Sequence, residues 1–282
     1  MIGYLKNNQL GQTAPWSERF FCTFISIKNL TMNQKTAFIT GATSGIGKVT
    51  AQLFAKNNIQ LILCGRRGDK LLQLKKELSK LTTVTTLQFD VSKKEAVFKA
   101  VESLPKEFQK IDILINNAGN AHGFATIQDG SIDDWDAMID INVKGLLYVS
   151  KAILPKMIDH NNGFVVNIGS IAAKDVYLNG NVYCASKHAV NALNKAMRID
   201  LNKHNIRVSA IHPGAVETEF SEVRFKGDVA KAKNVYKGFK ALQAEDIADI
   251  IYFVVTRPYH VNIEDLVVYP TAQATPTILN RE

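Results

Sequence analysis

An α/β domain on a parallel sheet is expected for this chain, on two grounds. Short Val-, Ile- and Leu-rich runs alternate with helical stretches, which is the pattern of βαβ crossovers. One of the junctions, where a strand gives way to a helix, is glycine-rich, as a close turn at the sheet edge requires. With 282 residues, 46% of them apolar, the chain can bury one sizeable core without disulfide or metal support. It shows no internal repeat, low-complexity tract or linker that would divide the body.

The first strand is read at residues 35–40, Lys-Thr-Ala-Phe-Ile-Thr. It runs into Gly41-Ala42-Thr43-Ser44-Gly45-Ile46-Gly47, and a helix is expected over residues 48–56. Strand, glycine turn and helix in that order form a phosphate-binding device. The glycines allow close backbone approach, and the helix N-terminus presents free N–H groups to an anion. The spacing is G-x-x-x-G-x-G, which departs from the commoner G-x-G-x-x-G fingerprint. A purely structural turn is the alternative reading of the three glycines.

The second strand, residues 60–64, leads into Gly65-Arg66-Arg67. A dinucleotide fold that takes NAD places an acidic residue at this point to hold the ribose 2′-OH. Here two guanidiniums stand instead, and their planar forks match a phosphate that a carboxylate would repel. The pattern points to NADP through its 2′-phosphate; a solvated surface pair is the alternative. Helices are expected next at residues 69–81 and 93–104, a fourth strand at 111–116, an apolar run at 164–170 and a long helix at 182–203.

That long helix carries Tyr183-Cys184-Ala185-Ser186-Lys187. Positions i and i+4 share a helix face, so the phenol and the ammonium can point into one site. A phenol ordinarily titrates near ~10, and a fixed cation beside it lowers that value toward useful acid/base chemistry. Ser170 precedes Tyr183 at the end of the apolar run. Alone, a Tyr-x-x-x-Lys pair is a weak signal.

Taken together, residues 40–47, Asn116-Asn117-Ala118-Gly119, Asn142, Ser170 and the Tyr183–Lys187 segment resemble the short-chain dehydrogenase/reductase family. The likeness extends from about Lys35 to the C-terminus, with the motifs in the family's order and spacing. It implies a single doubly wound Rossmann-type domain with a seven-stranded parallel sheet. It further implies Tyr183 as general acid/base, Lys187 as the group that lowers its pKa and bonds the nicotinamide ribose, and Ser170 as the holder of the reacting oxygen. By the same resemblance Asn142 helps position a water in the proton relay. Cofactor contacts would come from Gly41, Thr43, Ser44, Gly45, Ile46 and Gly47, from Arg66 and Arg67, and from Asp90 and Val91 at the adenine. Asn117, Ala118 and Gly119 would pass near the adenosine ribose. Pro213, Gly214, Val216 and Thr218 would meet the nicotinamide.

A narrower likeness sits in residues 217–228, 231–236 and 267–274, which are similar to the NADP-dependent serine and 3-hydroxy acid dehydrogenases. It implies oxidation of the 3-hydroxyl of L-serine, L-allo-threonine or small 3-hydroxy acids, or the reverse reduction of 3-oxo acids such as malonic semialdehyde. A substrate lid is expected within about 217–244, with Arg224 as a candidate for the substrate carboxylate. The family also implies a homotetramer, and the three cysteines, read as reduced thiols, point to the cytoplasm. A 3-oxoacyl carrier-protein reductase shares the same cofactor site. Such reductases close with Val-Asp-Gly-Gly after the last strand, where this chain has Leu266-Val267-Val268-Tyr269-Pro270-Thr271. A non-catalytic NADP sensor is a further alternative, although such proteins commonly lose the Tyr or Lys that this chain keeps.

The formal net charge of +8 is spread over helix surfaces among Glu and Asp, as at Lys75-Lys76 and Lys93-Lys94, so no nucleic-acid stripe is expected. Cys22, Cys64 and Cys184 form no spaced framework, and the histidines have no ligand spacing, so no metal site is expected. His188 is read as pointing away from the site. Residues 1–31 fall outside the resemblance and are expected to be a disordered extension without function, a targeting peptide being the alternative. The domain then spans 32–282, with Met32 a candidate first residue. The apolar stretch Phe20–Ile27 is too short to span a bilayer, and no membrane association is expected.

Overall fold

The computed structural model describes residues 34–282; the expectations for residues 1–31 and for Cys22 lie outside the described residues. Seven strands form one all-parallel sheet in the order β3-β2-β1-β4-β5-β6-β7. They are β1 (Thr36–Ile39), β2 (Gln60–Gly65), β3 (Val84–Gln88), β4 (Ile113–Asn116), β5 (Gly163–Ile168), β6 (Ile206–Pro213) and β7 (Asp265–Val268).

Side chains of a strand alternate between faces, and here both faces are apolar because both are covered. Ala37, Ile39, Leu61, Leu63, Ile113, Ile115, Phe164 and Val166 point into one core layer. Phe38, Ile62, Cys64, Leu114 and Val165 point into the other. The first layer is closed by α1 (Gly45–Lys56), α2 (Gly68–Leu78) and α9 (Ala244–Val255), through Phe54, Leu71, Leu74, Ile247 and Ile251. The second is closed by α3 (Lys94–Glu102), α5 (Leu146–Asp159) and α6 (Asn181–Leu201), through Val97, Val149, Ile153, Val190 and Met197. This is the doubly wound architecture read from the sequence, with element ends shifted by one to three residues.

Strand order reverses between β1 and β4. Loops leaving the C-terminal ends of those strands diverge to opposite faces and open a crevice, where ligands of such sheets bind. Between α4 (Ile132–Ile139) and α5 the backbone forms a π-helical turn over Asp140–Gly145. Such widened turns concentrate at functional sites. After β6 the chain makes a long excursion that carries α7 (Phe220–Arg224) and α8 (Val229–Asn234). Its base is pinned by a Val216–Leu242 bridge, with Glu217 N donating to Leu242 O at 2.8 Å and Leu242 N to Ala215 O at 3.0 Å. Among the described residues no helix is long and apolar enough to cross a membrane.

Candidate active site

The glycine turn is held by the residues that follow β4. Asn117 Nδ2 donates to Thr40 O at 2.9 Å and to Gly41 O at 3.2 Å. Thr40 Oγ1 in turn accepts from Asn117 N at 3.0 Å and Ala118 N at 2.9 Å. The space left is too small for a side chain. A Cβ on Gly47 would lie 2.4 Å from Asn117 Nδ2 and 2.6 Å from Gly41 O. Gly41 also has φ +64°, a backbone region that favours glycine. Ile46 anchors the turn in the first core layer. Ser44 caps α1 without bonding the helix's own amides, and no acid stands in the first turn, so the end presents N–H groups and positive potential.

Arg66 and Arg67, alike in sequence, do different things. Arg67 lies against the turn: Nε and Nη2 donate to Thr43 Oγ1 at 3.1 and 2.9 Å, and Nη2 to Ser44 Oγ at 2.7 Å. Its remaining nitrogen, Nη1, pairs with Glu219 Oε2 at 2.8 Å. Arg66 extends outward, its side chain 65% exposed, with Asp90 Oδ2 at 3.7 Å. Asp90 also accepts from Ser92 N and Oγ. Acids therefore do reach both guanidiniums, although none stands beside them in sequence. Val91 packs against Gly145 of the π-helical turn, where a Cβ would lie 2.8 Å from its Cγ2.

Tyr183, Lys187, Asn142 and Ser170 converge. A Cβ built on Gly119 would stand 3.2 Å from Asn142 Oδ1 and 3.4 Å from Lys187 Nζ, so both groups face that glycine. Lys187 Nζ donates to Ile168 O at 3.0 Å and lies 6.0 Å from the Tyr183 ring centroid. Asn142 spends both N–H groups of its amide, on Asn120 O at 2.8 Å and Ser186 Oγ at 3.0 Å, while its Oδ1 accepts from Asn120 N. Tyr183 lies beside Ser170 and sits in an apolar cluster with Ala121, Met138, Ala172 and Cys184.

Those surroundings set the resting state of the phenol. Burial pushes the Tyr183 phenol well above its ordinary value, Tyr177 adds to the rise, and Arg224 and Ser170 oppose it. Lys187 is displaced by the same burial, its own pKa pushed down to about 8. The cation against the phenol is Arg224, whose Cζ lies 4.8 Å from the Tyr183 ring centroid and 5.3 Å from that of Phe220. Its Nη2 donates to Tyr177 Oη at 3.0 Å. With His122, Asp134, Trp135 and Met138, Tyr183 and Arg224 line a cavity of about 30 Å³.

The excursion after β6 roofs this region. Gly123 N donates to Arg224 O at 3.1 Å, Lys226 Nζ pairs with Asp134 Oδ2 at 2.9 Å, and Phe124 meets Phe225 edge-on at 6.2 Å. Thr218 stands over the glycine turn, 3.3 Å from where a Gly45 Cβ would be. Val216 O accepts from Tyr236 Oη at 2.9 Å. Pro213 ends β6, and Gly214 and Ala215 are clamped by Gln273, whose Oε1 accepts from Ala215 N at 2.9 Å.

Gln273, Tyr177, Glu219 and His212 were not singled out as site residues by the sequence reading. His212 is fully buried behind Ser170, with its Nδ1 3.1 Å from Ser170 O and 3.3 Å from Ser170 N. Burial, then the nearby Lys174, pushes its pKa down to about 4, which keeps the ring neutral. A small residue was needed at 169, since a Cβ there would lie 2.3 Å from His212 Nδ1. His188 bonds Cys184 O along its own helix, as expected. Cys64 and Cys184 are free and buried. Among the described residues no cluster of three His, Cys, Asp or Glu side chains is placed to hold a metal.

Known proteins share the sequence and the fold of this chain. The family model for short chain dehydrogenases matches residues 35–228. The chain is 43% identical over 237 residues to the NADP-dependent 3-hydroxy acid dehydrogenase YdfG of Salmonella typhi, covering 84% of this chain and 95% of that one. It is 44% identical over 245 residues to the NADP-dependent 3-hydroxy acid dehydrogenase of Schizosaccharomyces pombe, covering 86% and 95%. Among solved structures, the closed form of a serine dehydrogenase complexed with NADP+ superposes with a TM-score of 0.82 at 41% identity, covering 88% of this chain and 99% of that one. The chain belongs to the short chain dehydrogenase family.

Proposed function

We propose that this protein is an NADP-dependent oxidoreductase acting on the 3-hydroxyl carbon of L-serine, L-allo-threonine or small 3-hydroxy acids, or in reverse on 3-oxo acids such as malonic semialdehyde. One observation carries the substrate class: a guanidinium, Arg224, lies over the ring of Tyr183 in the same small cavity. A short acid gripped there by its carboxylate would bring its 3-carbon oxygen to the phenol.

The residues present fit a dinucleotide with an extra phosphate. The side-chain-free turn at Gly41, Gly45 and Gly47 and the N-terminus of α1 suit the pyrophosphate, and Arg66 and Arg67 suit the 2′-phosphate. Asp90 and Val91 would flank the adenine, and Asn117, Ala118 and Gly119 would lie along the adenosine ribose. Pro213, Gly214, Val216 and Thr218 would border the nicotinamide, within reach of Lys187. When bound, NADP supplies the acceptor or donor of hydride. The chain supplies position and proton handling. Ser170 holds the substrate oxygen; Tyr183 exchanges a proton with it; Lys187 and a water beyond Asn142 pass that proton onward. Because the Asn142 amide is committed to Asn120 and Ser186, its part is to fix the π-helical turn rather than to donate from its side chain. In the ligand-free protein burial keeps the phenol protonated at neutral pH, the form that donates to a carbonyl.

A carrier-protein reductase is the second reading. Its long thioester arm needs an open channel, whereas here the roof closes on Gly123, Phe124 and Asp134. Assembly as a homotetramer belongs to the same proposal. Val267 on the edge strand β7 and Phe253 on α9 are 44% and 47% exposed, surfaces suited to a second copy; sedimentation would test it.

The test is a panel read by nicotinamide absorbance: L-serine and 3-hydroxypropionate with NADP+ and NAD+, malonic semialdehyde and an acetoacetyl thioester with NADPH. Arg224→Ala should raise KM for the acids by about 10–100-fold, the loss of a charged hydrogen bond. It should affect a neutral analogue such as serinamide far less. Equal losses on both would remove the carboxylate role.

A further inference from the structure

Arg67 and Lys70 already hold an anion, and that anion belongs to the protein. Glu219 pairs with Arg67 Nη1 at 2.8 Å and with Lys70 Nζ at 3.4 Å, across about 150 residues of sequence. Against a desolvation that would raise it, the hydrogen bond and charge of Arg67, then Lys70, hold the Glu219 carboxyl below its usual value.

We infer that Glu219 is an internal counter-anion that competes with the 2′-phosphate for Arg67 and so sets how strongly NADP is preferred over NAD. The inference rests on the reading that the 2′-phosphate binds at Arg66 and Arg67. Each of the three nitrogens of Arg67 is engaged: Nε and Nη2 by hydroxyls of the glycine turn, Nη1 by Glu219. These contacts use four of the five N–H groups, so a phosphate that takes a two-pronged hold on Arg67 must displace one of these partners. The hydroxyls of Thr43 and Ser44 can rotate and donate to the phosphate themselves. A carboxylate can only accept, and it repels a dianion. Glu219 is the partner that must yield. It adjoins Thr218 at the base of the roof, so its release also loosens the segment that covers the substrate cavity.

Calorimetric titration of the full chain with NADP+, NAD+, 2′,5′-ADP and 5′-ADP tests this without turnover. Glu219 is half-exposed, so Glu219→Gln should fold as the parent does. It should tighten NADP+ and 2′,5′-ADP by about tenfold, the effect of removing one like charge a few ångströms from the phosphate. NAD+ and 5′-ADP should move by less than about twofold, and the gap between parent and variant should shrink in high salt. Unchanged or weaker NADP+ binding in Glu219→Gln, or equal tightening of both cofactors, overturns the inference. Arg67→Gln is the control on the reading beneath it and should erase most of the preference for 2′,5′-ADP. If it leaves that preference intact, the phosphate lies elsewhere and both the placement and the competition are refuted.

Discussion

The two ends of the crevice handle charge in opposite ways. At the phosphate end Arg66, Arg67 and Lys70 stand half in water, with side chains 65%, 38% and 42% exposed, each facing a carboxylate. At the chemical end Tyr183 and Lys187 are buried, 8% and 6% exposed, and neither faces one. Exposed paired ions cost little to maintain and recognise by complementarity. Buried unpaired ones are strained in protonation state, and that strain is what acid/base chemistry uses. The fold thus separates recognition from reactivity along one sheet edge.

The sharpest way to break that division is Tyr183→Phe. Turnover should fall by about 10²–10⁴-fold, the usual worth of a positioned acid/base. NADPH affinity, measured by quenching of its fluorescence, should stay within about twofold, because the phosphate end is untouched. Undiminished turnover would take the phenol out of the mechanism.

Gly47→Ala should do the reverse. The added Cβ meets the Asn117 amide and the Gly41 carbonyl, and the carbonyl is backbone that cannot swing aside. Overpacking of this kind costs roughly 1–3 kcal/mol. It should appear as lost cofactor affinity and a lowered Tm, with the burial of Tyr183 unaffected. Full NADP+ affinity in this variant would mean that the turn is not the pyrophosphate cradle.

The same contrast explains what the sequence could show. Strands β1, β2, β4 and β5 are short apolar runs buried on both faces, and their composition announces them. The glycine turn and the Tyr183–Lys187 pair are local patterns, set by spacings of a few residues. Contacts between distant loops leave no such trace. Nothing in the Glu217–Phe220 stretch shows that Glu219 will reach Arg67, nor does Arg224 in α7 reveal that it will stack on Tyr183. The resting pKa of the phenol was hidden for a related reason. Spacing placed an ammonium near the phenol, but burial is a property of packing, and it outweighed charge at that site.

Burial of Lys187 also has a consequence for stability. Its folded pKa, about 8, lies below the ordinary 10.5, so the folded protein gives up this proton before the unfolded chain does. Between about pH 8 and 10 the unfolded state binds more protons, and this group makes stability rise with pH. Below pH 8 both states are charged, and burying the ammonium costs on the order of 3 kcal/mol. Lys187→Met removes that cost and forfeits the bond to Ile168 O, worth about 1 kcal/mol. The variant should therefore be inactive yet more stable at pH 7 by roughly 1–3 kcal/mol, with Tm raised by about 2–4 °C for each kcal/mol. The gain should shrink as pH rises from 8 toward 10. A variant less stable than the parent at pH 7 would mean that Lys187 is compensated in the folded state, and the contrast between the two ends of the crevice would lose its physical basis.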